Sequence, residues 1–149
     1  MEKLYLEDLS VGQRFTFGTL TVTEEEIKIF ATQYDPQPFH LDNAAARGTF
    51  FSGLAASGWH TAAMTMGLIV GSGPPLAWGI IGGGGEIAWP RPTRPGDVLH
   101  VESEVMEIIP SKSKLDRGMV LMRSETKNQN GEAVQISTMK LVVPRRRPG

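Results

Sequence analysis

The spacing of apolar positions changes along the chain, and the changes mark out its elements. The stretch Gly12-Gln13-Arg14-Phe15-Thr16-Phe17 alternates weakly and predicts a strand. Beyond it, Ile27, Phe30 and Ala31 fall at i, i+3 and i+4, the spacing of a helix. Thr23 and Glu26 stand in capping-box relation at its start, and Glu24, Glu25 and Glu26 suit the positive end of its dipole. Proline disfavours α geometry in the residue before it, so Pro36 should end this helix near Tyr34. From Gly48 to Gly85 there is no Asp, Glu, Lys or Arg. A helix over Ser57 to Val70 would therefore have no charged face, and the expectation is burial on all sides.

The remainder reads as strands. Leu99, Val101, Ser103, Val105 and Ile109 share one parity after the turn signal Pro95-Gly96-Asp97, and Met119 to Thr126 is a second β-rich run. Asn130-Gly131 is a strong hairpin signal and is followed by Val134, Ile136 and Thr138. A helix that is apolar all round has to be wrapped, which predicts an α+β fold with a curled antiparallel sheet around one long buried helix. Such a sheet keeps an open edge that invites pairing with a second copy. The chain neither repeats nor contains a low-complexity linker, so residues 1–149 are expected to form one domain, with about 144–149 a frayed basic tail.

Charge and composition narrow the function. Fifteen Lys and Arg against sixteen Asp and Glu give a net charge of -1, and three of the basic residues are Arg145, Arg146 and Arg147. A body that is acidic outside its tail lacks the positive field that phosphate-backbone binding needs, so no nucleic-acid partner is expected. The charge-free helix would span roughly 21 Å at about 1.5 Å per residue, short of the ~30 Å hydrocarbon layer, and Gly71-Ser72-Gly73-Pro74-Pro75 would end it. No membrane partner is expected either. The absence of cysteine excludes disulfides, thiolate metal sites, iron–sulfur clusters and cysteine nucleophiles. The acidic start Met1 to Asp8 is unlike a signal peptide, which places the protein in the cytoplasm as an expectation.

Candidate chemistry concentrates in Tyr34-Asp35-Pro36-Gln37-Pro38-Phe39-His40-Leu41-Asp42. Two prolines stiffen this segment, and a carboxylate and an imidazole held on one stiff loop can position and activate a water. By itself the same pattern also describes a helix stop and turn with a packed histidine. Asp35-Pro36-Gln37-Pro38-Phe39-His40, followed by Ser57-Gly58, resembles the hydratase motif of the MaoC-like, (R)-specific enoyl-CoA hydratases, whose loop reads Asp-x-Asn-Pro-aliphatic-His. Asp8-Leu9-Ser10-Val11-Gly12, Pro92-Thr93-Arg94-Pro95-Gly96-Asp97 and Asn128-Gln129-Asn130-Gly131-Glu132 extend the resemblance over nearly the whole chain.

The resemblance implies a hot-dog fold, a homodimer or an assembly of dimers, and an acyl-CoA thioester as substrate, within fatty acid metabolism. It implies Asp35 and His40 as the catalytic pair and Gly58, with Ser57, as the groups that bind the thioester oxygen. Gln37 stands where the family has Asn and would orient the substrate, while Ser57 stands where many members have His. No cofactor is implied, coenzyme A being part of the substrate. The alternatives are a hot-dog thioesterase, which commonly places a carboxylate on the central helix, and a non-catalytic acyl-CoA-binding module. Ala55 to Ser72 contains no carboxylate.

Other residues invite weaker readings. Arg91 and Arg94 are candidates for the phosphates of coenzyme A, although solvated loop charges explain them as well. His60 reads as a core or supporting histidine, and no metal site is expected because His40, Asp42 and His60 lack ligand spacing. Gly82-Gly83-Gly84-Gly85 lacks a following Lys-Ser/Thr and reads as a flexible loop or bulge. Met64, Met66 and Leu68 read as helix core or as the lining of an acyl tunnel.

Overall fold

The computed structural model describes residues 2–73 and 75–147. After a short 3-10 turn at Leu6–Asp8, the chain forms β1 (Arg14–Thr21), α1 (Glu24–Tyr34), α2 (Pro38–Leu41), α3 (Asn43–Arg47), α4 (Gly58–Ser72), β2 (Gly82–Ala88), β3 (Val98–Pro110), β4 (Arg117–Lys127) and β5 (Ala133–Pro144). The strands make one antiparallel sheet in the order β1-β3-β4-β5-β2, with α4 lying across it. This is the curled-sheet, single-helix arrangement of the hot-dog fold.

Helix α1 begins where its capping box places it. Thr23 Oγ1 accepts from the Glu26 N–H at 3.2 Å, and the helix ends at Tyr34 before Asp35-Pro36. Helix α4 departs from the expectation of all-round burial. His60, Thr61, Met64, Thr65 and Leu68 face the protein, while Trp59 and Val70 are 61% and 64% exposed. Without charges the helix is still one-sided: its outer face is apolar but uncovered. It ends at Ser72 as expected, while Pro74 of the predicted stop lies outside the described residues.

Two strand expectations also change. A bulge between Val105 and Glu107 reverses the parity of β3, so that Ile109 points to solvent and Ile108 packs inward. On β5, Gln135 and Ser137 are buried while Ile136 and Thr138 are only partly covered. The glycine run is strand rather than loop, although the bulge is present: the register with β5 shifts between Gly82 and Gly84, and Gly84 has φ 131°. In the expected tail, the Arg145 N–H donates to Asp116 O at 2.7 Å and the Arg146 guanidinium meets Asp8 at 2.6 Å. Pro148 and Gly149 lie outside the described residues.

The core has two parts. One gathers Val22, Ile27, Leu54, Met64, Leu99 and Val101 beneath the helices, and the other gathers Leu6, Leu9, Val105, Val120 and Val143 towards the far end of the sheet. Hydroxyl pairs fasten α4 above the first: Thr61 Oγ1 to Thr93 Oγ1 at 2.9 Å and Thr65 Oγ1 to Thr126 Oγ1 at 2.6 Å. Thr65 also donates to Thr61 O, so the proton in its bond with Thr126 comes from Thr126.

Thr65→Val should therefore orphan a fully buried Thr126 hydroxyl and destabilise the protein by about 1–3 kcal/mol, whereas Thr65→Val with Thr126→Val should recover most of that loss. Urea unfolding of the two single variants and the double variant measures both quantities. Additive losses would show that the two hydroxyls are not coupled.

Candidate active site

Local structure brings the motif residues to one place. The Asp35 N–H closes α1 on Ala31 O at 2.9 Å, and Pro36 ends the helix. Gln37 then sits at the N-cap of α2, Pro38 supplies the fixed φ that suits a first helical position, and His40 lies within that single turn. The two prolines thus frame a helical turn rather than an extended loop. Asp42 caps α3 by accepting from the Ala45 N–H at 2.7 Å.

The approach to α4 runs between two supports. The Ala55 N–H donates to Phe39 O at 3.1 Å and the Ala56 N–H to Thr93 O at 2.9 Å, which threads the buried segment 54–57 past the motif turn. Arg94 fixes the preceding bend, donating to Gly53 O at 3.0 Å, to Leu54 O at 3.2 Å and to Phe51 O.

Asp35 and His40 meet there. His40 Nε2 is 3.4 Å from Asp35 Oδ2, with the His40 and Asp35 side chains 5% and 17% exposed. His40 Nδ1 lies 2.6 Å from Ala55 O. A carbonyl oxygen only accepts, so Nδ1 carries a proton and Nε2 is the nitrogen left for chemistry. Asp35 is held from two further sides, by Ser57 Oγ–H on Oδ2 at 2.7 Å and by the Gln37 amide on Oδ1 at 2.5 Å. Burial alone would raise its pKa, but the hydrogen bonds from Ser57 and Gln37, with the charge of His40, outweigh burial and hold the carboxyl below its ordinary range.

Gly58 is the first residue of α4, and its N–H has no acceptor among the described residues. It is an unpaired donor at the positive end of a helix, one residue along from the serine that touches Asp35. A side chain is excluded there, since a Cβ on Gly58 would come within 2.7 Å of the Trp89 ring. Trp89 is itself held by its Nε1–H on Gln135 Oε1 at 2.9 Å.

Several assignments made from sequence change in this setting. The Ser57 hydroxyl has one proton and gives it to Asp35 while its oxygen accepts from the Trp59 N–H at 3.3 Å, so it links helix to carboxylate and does not point a donor at a thioester. Gln37 likewise turns its amide onto Asp35. Arg94 is neither a phosphate ligand nor a solvated charge, since its guanidinium is committed to backbone carbonyls. Arg91 stays half exposed, 3.3 Å from Glu132. His60 is a core histidine stacked on Phe30 at 4.6 Å with Nδ1 unpartnered; burial pushes its pKa down, against a smaller upward pull from Glu26. Sequence reasoning did not find the Ala55 carbonyl, Trp89 or Gln135. A carbonyl leaves no mark in a sequence, and Trp89 and Gln135 are 46 residues apart.

The MaoC like domain family model matches residues 8–128. Among solved structures, the MaoC-like dehydratase from Rhodospirillum rubrum is 61% identical, with 97% of this chain and 99% of that chain covered and a TM-score of 0.94. The unliganded R-hydratase PhaJ1 from Pseudomonas aeruginosa is 29% identical over 97% of this chain and 88% of that one, with a TM-score of 0.73. The uncharacterized protein YdeM of Bacillus subtilis is 29% identical over 144 residues, 94% of this chain and 99% of its own length.

Ser57→Ala should raise the pKa of Asp35, since one of the hydrogen bonds that lower it is lost while burial remains, and should cost about 0.5–2 kcal/mol through the lost helix cap. Carboxyl titration by NMR reads the first effect and thermal unfolding the second. In the unmodified protein the lowered pKa stabilises the fold above the unfolded-state value, and that contribution fades as pH falls through the folded-state value. The variant should lose it from a higher pH downward.

Proposed function

As the chain belongs to the MaoC-like domain family, we propose that it reversibly hydrates a trans-2-enoyl-CoA to an (R)-3-hydroxyacyl-CoA. The observation that carries this reading is the Asp35–His40 pair, 3.4 Å apart and next to the unpaired N–H of Gly58. The similarity to the R-hydratase PhaJ1 supports it.

The proposed hydration uses a proton on His40 Nε2 and Asp35 as carboxylate. Asp35 takes one proton from a water whose oxygen bonds to the β-carbon, and His40 Nε2 gives its proton to the α-carbon. Charge passes through the thioester oxygen as the enolate forms, and the Gly58 N–H donates to it there. The proton on Asp35 then returns to His40 across the 3.4 Å gap, a transfer that the lowered pKa of Asp35 favours. The reverse assignment would need Asp35 protonated beforehand, which the same lowered pKa opposes. Acid, base and oxyanion donor all come from the chain, so the cycle needs no cofactor.

An apolar cavity of about 170 Å³ lies between α4 and the sheet. On α4 it is lined by Ala62, one helical turn or ~6 Å beyond Gly58, and by Thr65, Met66 and Ile69. We assign it to the acyl chain. Arg91 remains a candidate for the coenzyme A phosphates. Helix α4 carries no carboxylate, which argues against the thioesterase alternative. The uncovered apolar face of α4 and the outer edge of β2 suit a second copy of this chain, and light scattering should report a homodimer. A monomer at high micromolar concentration would contradict this assignment of the two surfaces.

Asp35→Asn and His40→Ala should each lower kcat by roughly 10²–10⁴ with the fold retained. Two readouts in one cuvette separate hydration from hydrolysis: ultraviolet absorbance falls when the conjugated double bond is lost, whereas a disulfide reagent reports released thiol. The chain has no cysteine to add background. Thiol release without prior loss of conjugation would overturn the assignment.

A further inference from the structure

The acyl cavity is unusual in its floor. One rung of the sheet crosses all five strands, pairing Phe15 with Ser103, Ser103 with Ser124, Ser124 with Ser137, and Ser137 with Ile87. All five residues line the cavity. Its walls are apolar, but three consecutive hydroxyls lie across its middle, and Gln135 sits beside them on β5. These groups are not remnants of a wet surface, since Gln135 and Ser137 are 2% and 8% exposed.

Burying polar side chains costs free energy unless they are hydrogen-bonded, so each must be accounted for. Ser103 and Ser124 share one hydrogen bond at 2.6 Å, which uses the proton of one and leaves that of the other facing the cavity. Gln135 Oε1 accepts from Trp89, and because an indole N–H only donates, this fixes the amide with Nε2 turned away. Neither Gln135 Nε2 nor Ser137 Oγ has a hydrogen-bond partner among the described residues. Among the described residues the sealed polar atoms that lack partners are elsewhere, at His60 Nδ1 and Arg145 Nε, so these two groups open onto the cavity they line. Unpaired donors of Gln135 and Ser137 therefore face a mainly apolar space that no charged side chain lines among the described residues.

We propose that this cavity selects an acyl chain bearing a neutral oxygen function, a hydroxyl or carbonyl, which Ser137 and Gln135 recognise as specificity-determining residues. The proposal rests on the reading that the site takes acyl-CoA thioesters. An unsubstituted hydrocarbon would leave both donors unsatisfied, and a carboxylate would meet no cation. Size adds a limit. An engineered cavity of about 150 Å³ holds benzene, so this one holds a chain segment of roughly six or seven non-hydrogen atoms.

Calorimetric titration with saturated CoA thioesters, which cannot be hydrated, tests recognition apart from catalysis. Hexanoyl-CoA, 5-hydroxyhexanoyl-CoA and adipyl-CoA differ in the oxygen function and are similar in length. The unmodified protein should bind the hydroxylated thioester about tenfold more tightly than hexanoyl-CoA, and adipyl-CoA less tightly than either. In a wholly apolar pocket the sign would reverse, because the hydroxyl would be desolvated without return. In Ser137→Ala the preference should shrink to within about threefold. Equal or tighter binding of hexanoyl-CoA by the unmodified protein would overturn the proposal, and so would tightest binding of adipyl-CoA or an unchanged preference in Ser137→Ala. Hydration of the matching 2-enoyl thioesters is assayed separately. A binding preference without hydration supports the pocket and overturns the proposed activity, while hydration without the preference does the opposite.

Discussion

The height at which α4 meets the sheet governs almost everything else in this molecule. The helix is fastened by hydroxyls as well as by apolar packing: Thr61 to Thr93 on the loop before β3, and Thr65 to Thr126 on β4. Apolar contacts tolerate sliding, whereas a buried hydroxyl pair has one satisfactory separation and loses its bond within an ångström. With the helix fixed in this way, its first turn is fixed too. Ser57 then presents one hydroxyl to the Trp59 N–H and to Asp35 together. The carboxylate is thereby tied to the sheet through the helix, although the two lie on separate segments of chain.

Local signals in the sequence were dependable where the physics is local. The Thr23 cap, the stop before Pro36 and the Asn130-Gly131 hairpin depend on residues within a few positions of one another, and each stands where expected. Asp35 and His40 were legible as a pair because a stiff turn holds both. What misled was inference from composition to burial. A helix without charge was expected to be covered on every side, but absence of charge only permits burial, and within one chain the outer face carrying Trp59 and Val70 is left open, the face proposed above to meet a second copy. Parity failed on β3 for a different reason, since one bulged residue reverses every side chain after it.

Polar residues near the site were the least legible, because a sequence gives their chemistry but not their partners. Arg94 carries the charge expected of a phosphate ligand, yet three backbone carbonyls take its guanidinium. Those bonds hold the bend before Ala55, whose carbonyl sets the tautomer of His40. A residue picked for binding is thus a positioning residue for the imidazole, two contacts away. Gln37 and Ser57 follow the same pattern, both turned onto Asp35, and their hydrogen bonds keep that carboxylate ionised despite its burial.

The β5 strand joins these themes. Alternation would place Ile136 inside, but the register that gives Ser137 to Ser124 and to Ile87 turns Gln135 and Ser137 inward instead. A fold optimised for stability alone gains more from an aliphatic side chain at such a position, by about 25 cal/mol for each Å² of apolar surface buried. Keeping hydroxyls and an amide there forgoes that gain, and only part of it is recovered through Ser103–Ser124 and Trp89–Gln135. Trp89 is also the wall against Gly58, so Gln135 both holds the side chain that packs on the start of α4 and lines the cavity. Under the proposed function, support of the thioester end and recognition of the attached chain meet in one side chain, which is how a polar residue in a core position can be worth its destabilisation.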